Sequence, residues 1–255
     1  MRLTVLGCSG STPGPDSPAA GYLVLTDGFT VALDLGNGTV GAMQRHLDPF
    51  ELGGLALSHL HPDHCADVSA LHVYLRHHPE PPAHRRRLPV FGPSETATRL
   101  AAAVAPSKEE LAVTDLSDVF DIQPLDDGAT VHIGPFELSC APVAHPCEAY
   151  ALRLEHGGTS LVYTGDSGPC DELSRLAAGA DVLLAEATWT DHPSRPEGMH
   201  LSGLQAGQLA AAAGASRLLL THVAPWTDRC AVLNEAREAF DGPVELVAAG
   251  LSYDF

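Results

Sequence analysis

The sequence predicts a layered α/β protein in which two β-sheets pack back to back with helices outside. Three observations carry this reading. Short apolar runs alternate with helical patterns along the whole chain, Gly and Pro punctuate the joints, and the second half repeats the element order of the first without repeating its sequence. The first half opens with a strand at 3–6 and a turn-rich segment at 7–18. Strands at 22–25 and 30–33 form a hairpin through Asp27-Gly28, a favoured tight-turn dipeptide. A helix at 39–46, a short buried strand at 54–57 that stops at Ser58, and a helix at 67–75 follow. The Pro- and Arg-rich stretch 77–89 is a surface connection, a strand opens at 90–91, and Ser94 caps a helix over 95–104. In the second half, strands fall at 130–133, 136–142, 150–155 and 160–164. A helix at 171–178, a strand at 182–185 and an Ala-rich helix at 202–213 capped by Ser202 come next. A buried strand at 218–220, a helix at 232–240 and a strand at 244–248 complete the chain. No linker is long or polar enough to divide residues 1–255, so a single domain is expected.

Composition narrows the function. The 255 residues are 45% apolar, enough for a substantial core, and carry a formal charge of −18. That sign excludes a general nucleic-acid scaffold and docking on anionic membranes. Aromatic residues, at 5%, are too sparse for a base-stacking platform. No apolar run reaches the eighteen or so residues of a membrane span, and the N-terminus enters a strand directly rather than a charged leader. The six cysteines include no Cys-x-x-Cys pair and read as reduced thiols of a cytoplasmic protein. The unusual feature is the count of 14 histidines.

Residues 59–64 read His-Leu-His-Pro-Asp-His, directly after an apolar strand. Side chains alternate in an extended stretch, so His59 and His61 point the same way and can grip one ion. A turn through Pro62 then lets Asp63 and His64 face a second. Imidazole suits zinc, and the carboxylate widens tolerance to manganese or iron. Four residues cannot complete two ions. His145, Asp166 and His222 each stand just past an apolar strand, where layered α/β proteins place their sites, and supply the remainder.

With these residues in this order, the chain resembles the metallo-β-lactamase superfamily over nearly its whole length. The resemblance implies a four-layer αββα sandwich with a two-metal site at the sheet edges. It implies that His59, His61 and His145 hold one divalent ion, that Asp63, His64 and His222 hold the other, and that Asp166 bridges them. It also makes Asp34, in Leu33-Asp-Leu-Gly36, the residue that orients a ligand histidine. Such a pair of ions lowers the pKa of a water between them and suits hydrolysis of phosphodiesters, lactams, thioesters and lactones alike.

Glu186 in Leu184-Ala-Glu-Ala-Thr-Trp189 and His200 in Met199-His-Leu-Ser202 resemble paired motifs of the ribonuclease Z-like phosphodiesterases. There the histidine helps protonate the leaving oxygen and the glutamate orients it. The candidate catalytic residues are therefore Asp63, His200 and Glu186. A long RNA-gripping arm commonly lies between the third histidine and the bridging aspartate in that group, but only 21 residues separate His145 from Asp166 here. The basic run Arg85–Arg87, with Arg76 nearby, reads as a solvated loop that could touch phosphate. Further stretches, Leu6-Gly-Cys-Ser-Gly-Ser11, Gly14-Pro-Asp-Ser-Pro18, Gln44-Arg-His46, His200-Leu-Ser-Gly203 and Thr221-His-Val-Ala-Pro-Trp226, are similar to actinobacterial atypical class II cyclic-AMP phosphodiesterases. The expectation is a dimetal hydrolase that opens cyclic AMP to AMP, with a small phosphodiester as partner and a homodimer suggested by the resemblance. The alternatives are an RNA 3′-end endonuclease and a carboxyl-ester or thioester hydrolase. Trp189, Trp226 and the 7–18 loop are candidate walls of the pocket.

Overall fold

A computed structural model describes residues 1–84 and 86–255. Arg85, the first residue of the basic run, lies outside the described residues. In chain order the elements are β1 (Arg2–Gly7), β2 (Gly21–Thr26), β3 (Phe29–Leu35), α1 (Thr39–Met43), β4 (Leu52–Ala56), α2 (Pro62–Cys65), α3 (Val68–His77), β5 (Leu88–Gly92), α4 (Thr96–Val104), α5 (Lys108–Leu111) and β6 (Phe120–Pro124). The second half contributes β7 (Thr130–Ile133), β8 (Phe136–Pro142), β9 (Tyr150–His156), β10 (Thr159–Tyr163), α6 (Asp171–Leu176), β11 (Val182–Glu186), α7 (Gly203–Ala213), β12 (Leu218–Thr221), α8 (Arg229–Ala239), β13 (Val244–Leu246) and β14 (Ser252–Asp254).

Alternation along the strands explains the layering. In β2, Tyr22 and Val24 face the core between the sheets while Leu23 faces the helices of the first half. In β11, Val182 and Leu184 point inward and Leu183 and Ala185 point out under the second set of helices. Three apolar cores therefore separate four layers, helix, sheet, sheet and helix. The sheets run β14-β1-β2-β3-β4-β5-β6 and β13-β12-β11-β10-β9-β8-β7. Each is mixed: β1 to β3 and β7 to β10 pair antiparallel, and β3 to β6 and β10 to β13 pair parallel. The predicted sandwich of two mixed sheets with helices outside is thus the observed one.

Differences are local and have physical causes. Ser94 does not cap α4, because its hydroxyl and amide both donate to the Glu148 carboxylate at 2.6 and 3.0 Å. The edge strand β6 lacks a continuous apolar run, and β14 is only three residues long, held by pairing with β1 (Leu3 opposite Tyr253). Neither carries a local signal strong enough to predict it. The Asp27-Gly28 turn is as expected, with positive φ at both residues (49° and 75°). Ser202 caps α7 through a reciprocal box with Gln205. Among the described residues no helix is long and apolar enough to cross a membrane.

One close approach fixes the rim where the histidines gather. A Cβ on Gly36, just past β3, would stand 1.9 Å from the Asp63 carbonyl oxygen, which also accepts from Ala20 N at 3.1 Å. Backbone meets backbone there, so nothing can swing aside. Gly36→Ala is expected to cost at least about 1–3 kcal/mol, as overpacked sites do, and to push Asp63 away from its neighbours. A fall in thermal midpoint together with lost metal in the purified variant would register both effects.

Candidate metal centre

Every candidate residue arrives at one rim because each lies at, or just beyond, the C-terminal end of a strand or on a loop facing those ends. Asp34 is within β3, His59 follows β4, and Asp63 and His64 ride on the short helix α2. Asp166 follows β10, Glu186 ends β11, and His222 follows β12. His145 comes from the β8–β9 loop and His200 from the segment before α7. Asp34 and His222 both adopt left-handed backbone (φ 55°), an uncommon conformation for these side chains that turns them into the rim.

The side chains form two adjoining nests. In the first, His61 Nδ1 lies 3.0 Å from His59 Nε2 and 3.1 Å from His145 Nε2. In the second, His64 Nε2 and His222 Nε2 stand 3.1 Å apart, and Asp63 Oδ2 lies 3.2 Å from His222 Nε2 and 3.5 Å from His64 Nε2. Asp166 sits between the nests. Its Oδ1 is 3.2 Å from His64 Nε2 and 3.3 Å from His222 Nε2, while its Oδ2 is 3.8 Å from His59 Nε2. The seven residues thus lie in two groups, His59, His61 and His145 in one and Asp63, His64, Asp166 and His222 in the other, with Asp166 on the side that approaches His59.

The outward nitrogens decide which atoms face inward. His64 Nδ1 donates to Asp34 Oδ2 at 2.7 Å and His145 Nδ1 donates to the Met199 carbonyl at 3.1 Å. The Ser58 hydroxyl spends its proton on Asp34 Oδ2 (2.7 Å) and so accepts from His59 Nδ1 (3.1 Å). Thr188 Oγ1 likewise donates to Glu186 Oε2 (2.8 Å) and accepts from His222 Nδ1 (2.9 Å). These four histidines therefore hold Nδ1–H outward and turn the Nε2 lone pair into the nests. His61 is turned the other way, with Nδ1 inward and Nε2 3.9 Å from Cys147 Sγ.

This donor set fits divalent cations. Lone pairs facing one another at about 3 Å repel unless something positive lies between them. Nitrogens about 2.0–2.1 Å from a tetrahedral zinc stand about 3.3 Å apart, close to the spacing seen. Asp166 Oδ1 is buried with no hydrogen bond, an orphan that a cation would satisfy. Burial, reinforced by neighbouring histidines, pushes the pKa of His59 well below the usual range, which keeps it a neutral ligand.

Asp34 is wholly buried and also accepts from Ser58 N at 2.7 Å and from the Tyr163 hydroxyl at 2.8 Å. Asp34→Ala is expected to lower metal affinity about 10–100-fold, as the loss of such outer partners does. Titration of zinc into chelator-stripped protein measures this directly.

Beside the second nest lies the pair Glu186 and His200. His200 Nδ1 donates to Glu186 Oε1 at 2.8 Å and lies 3.7 Å from Asp166 Oδ2. Ser167 N and Thr188 N also donate to the Glu186 carboxylate, at 3.0 and 3.1 Å. Burial opposes charge on His200, but Glu186 prevails and raises its pKa to about 9. Although Glu186, His200 and His222 have donor atoms close together, the facing atoms are already engaged in these hydrogen bonds.

The other expectations divide. The 7–18 loop does wall the site, because a Cβ on Gly10 would lie 2.2 Å from His222 O and Ser11 N approaches His222 Nε2 at 3.5 Å. Trp189 stands edge-on to His200, with ring centroids 5.0 Å apart. Trp226 is 73% exposed and lines neither core nor nest. The described part of the basic run precedes β5, at the opposite end of the parallel strands from the histidines. Arg87 lies 3.6 Å from Asp121, and Arg76 lies 3.4 Å from Asp118. Between His145 and Asp166 the chain forms only the β9–β10 hairpin, turned by Gly157 and Gly158 at positive φ. Sequence reasoning missed Ser58 and Thr188. Their signal was a hydroxyl residue set just past an apolar strand.

Comparison with known proteins identifies the family and the fold. A family model described as a β-lactamase superfamily domain matches residues 30–223. An uncharacterised protein of Mycobacterium leprae is 50% identical over 100% of this chain and 88% of its own length. The probable metallo-hydrolase YhfI of Bacillus subtilis is 27% identical over the full length of both. Its crystal structure covers 99% of each chain with a TM-score of 0.85 and 25% identity. A ribonuclease Z of Myxococcus xanthus is 26% identical, covering 100% of this chain and 97% of its own.

Proposed function

Because the chain belongs to the β-lactamase superfamily and is a metal-dependent hydrolase, we propose that it cleaves a small phosphodiester, a cyclic nucleotide such as cyclic AMP opened to AMP. His59, His61 and His145 would hold one divalent ion, zinc first and manganese or iron as substitutes, and Asp63, His64 and His222 the other, with Asp166 between. Ions held by these residues would supply an activated water and would neutralise charge that builds on the phosphoryl oxygens.

The observation that carries the phosphodiester reading is the buried Glu186–His200 pair beside Asp166. Cleavage of a P–O bond leaves an alkoxide that needs a proton. His200, charged at neutral pH, has its Nδ1–H fixed by Glu186, so its Nε2 proton is the one free to pass to the leaving 3′ oxygen. Glu186 meanwhile steadies the positive ring before transfer. Trp189, set edge-on against that ring, limits its rotation.

Substrate size follows from charge. Two divalent ions reduce the formal charge only from −18 to about −14, which repels an extended polyanion beyond the roughly 8 Å screening length. A small diester inside the rim meets mainly the local cations. The ribonuclease Z relative supports the second reading, an RNA endonuclease. Incubation of the zinc- or manganese-loaded protein with 3′,5′-cyclic AMP separates the readings. Appearance of AMP supports the proposal, and cleavage of precursor RNA with an intact cyclic nucleotide would replace it with the second.

A further inference from the structure

Two carboxylates near the centre reach histidines in the same two ways. Asp34 accepts directly from His64 Nδ1 and, through the Ser58 hydroxyl, from His59 Nδ1. Glu186 accepts directly from His200 Nδ1 and, through the Thr188 hydroxyl, from His222 Nδ1. All four intermediaries are sealed from solvent: Asp34, Ser58 and Glu186 are 0% exposed and Thr188 is 2% exposed. The two hydroxyls also occupy matching places, each two residues beyond a strand (β4 and β11) that is the first parallel partner added to an antiparallel run.

We propose that Ser58 and Thr188 are matched positioning residues. Each relays a buried carboxylate's charge to one ligand histidine while the same carboxylate holds a second histidine directly. Asp34 thereby stands behind both ion nests, since His59 belongs to the first and His64 to the second. Glu186 couples the second nest, through His222, to the proton donor His200. The inference rests on the dimetal reading above, though not on the identity of the substrate.

The physical argument concerns tautomer and basicity. A hydroxyl has one proton. Because Ser58 and Thr188 each give theirs to a carboxylate, each must accept from the histidine, which locks Nδ1–H outward and leaves Nε2 free for a cation. Hydrogen bonds in a low-dielectric interior polarise one another, so the carboxylate's charge raises the electron density at Nε2 through the intervening oxygen. Removing the hydroxyl, as Ser58→Ala and Thr188→Val do, leaves the Nδ1–H buried without a partner and frees the ring to take the wrong tautomer.

The test separates the two nests. His145→Ala leaves the second nest complete, and Asp63→Ala leaves the first. In chelator-stripped protein titrated with zinc, Thr188→Val is expected to lower affinity about 10–100-fold in the His145→Ala background and to leave the Asp63→Ala background unchanged. Ser58→Ala should show the reverse pattern, and Thr188→Ser should restore binding. A structural role alone would not produce this crossing. Equal losses in both backgrounds, no loss, or a serine variant no better than valine would overturn these positioning roles. Nitrogen-15 spectra of the unmutated, metal-free protein supply a second readout that needs no variant to fold. His59 and His222 should both carry slowly exchanging Nδ1 protons, and their absence would overturn the proposal. If unmutated protein takes up fewer than two zinc ions, the dimetal reading itself fails, and that outcome is distinct from the others.

Discussion

His59→Ala is expected to reduce hydrolysis to the level of the metal-free protein. His59 is wholly buried, its Nε2 belongs to the first nest, and it faces Asp166 as well as His61. Removing the ring leaves His61, His145 and the shared Asp166 for the first ion, one protein ligand fewer than the intact set. It also strands the Ser58 hydroxyl, whose lone pair accepts from His59 Nδ1. The loss should therefore show in two independent measurements: zinc content after dialysis, falling from two ions toward one, and product formed from cyclic AMP. An unchanged zinc content would remove His59 from the ligand set.

His200→Ala is expected to lower kcat about 10²–10⁴-fold, the range for a lost general acid, while both ions remain bound. Glu186→Gln should lower kcat as well, since Gln keeps the shape but not the charge that stabilises the imidazolium. The pH profile tests the same group. Glu186 raises the pKa of His200 to about 9, so its proton is present through neutrality and is lost as pH rises through that value. Activity that depends on this proton should decline on the alkaline side, and in Glu186→Gln the decline should begin at lower pH. For stability the sign is the same. The charged His200 ring stabilises the metal-free fold below the ordinary histidine pKa of about 6.5, and that contribution disappears as pH rises through about 9. Full activity in His200→Ala would instead point to another donor and remove the basis for the phosphodiester reading.

Much of this was legible in the sequence because the signals are local. The strand runs at 22–25 and 182–185 are short, continuously apolar and bounded by turn residues, and Asp27-Gly28 states its turn. The run His59-Leu-His-Pro-Asp-His64 sets four ligating side chains within six residues, a density that an ordinary polar loop does not need. His145, Asp166 and His222 were harder, since each is a single residue at a strand end and only their shared placement raised them above chance. Ser94 shows the limit of local reasoning. It has the right chemistry for a helix cap, but Glu148, 54 residues away, offered both its hydroxyl and its amide a stronger acceptor.

What the sequence determined by itself is the layered fold and the inventory of candidate metal-binding groups, because apolar patterning and ligand chemistry reside in the order of residues. The tertiary structure alone decided which atom of each histidine faces inward and which carboxylate stands behind it. Those choices depend on distant partners, such as Tyr163 donating to Asp34 from 129 residues away, and on hydroxyls such as Thr188 that look ordinary in a strand-end segment. The reason is that a hydrogen bond has a direction and a single proton, and neither can be assigned until the distant acceptor is in place.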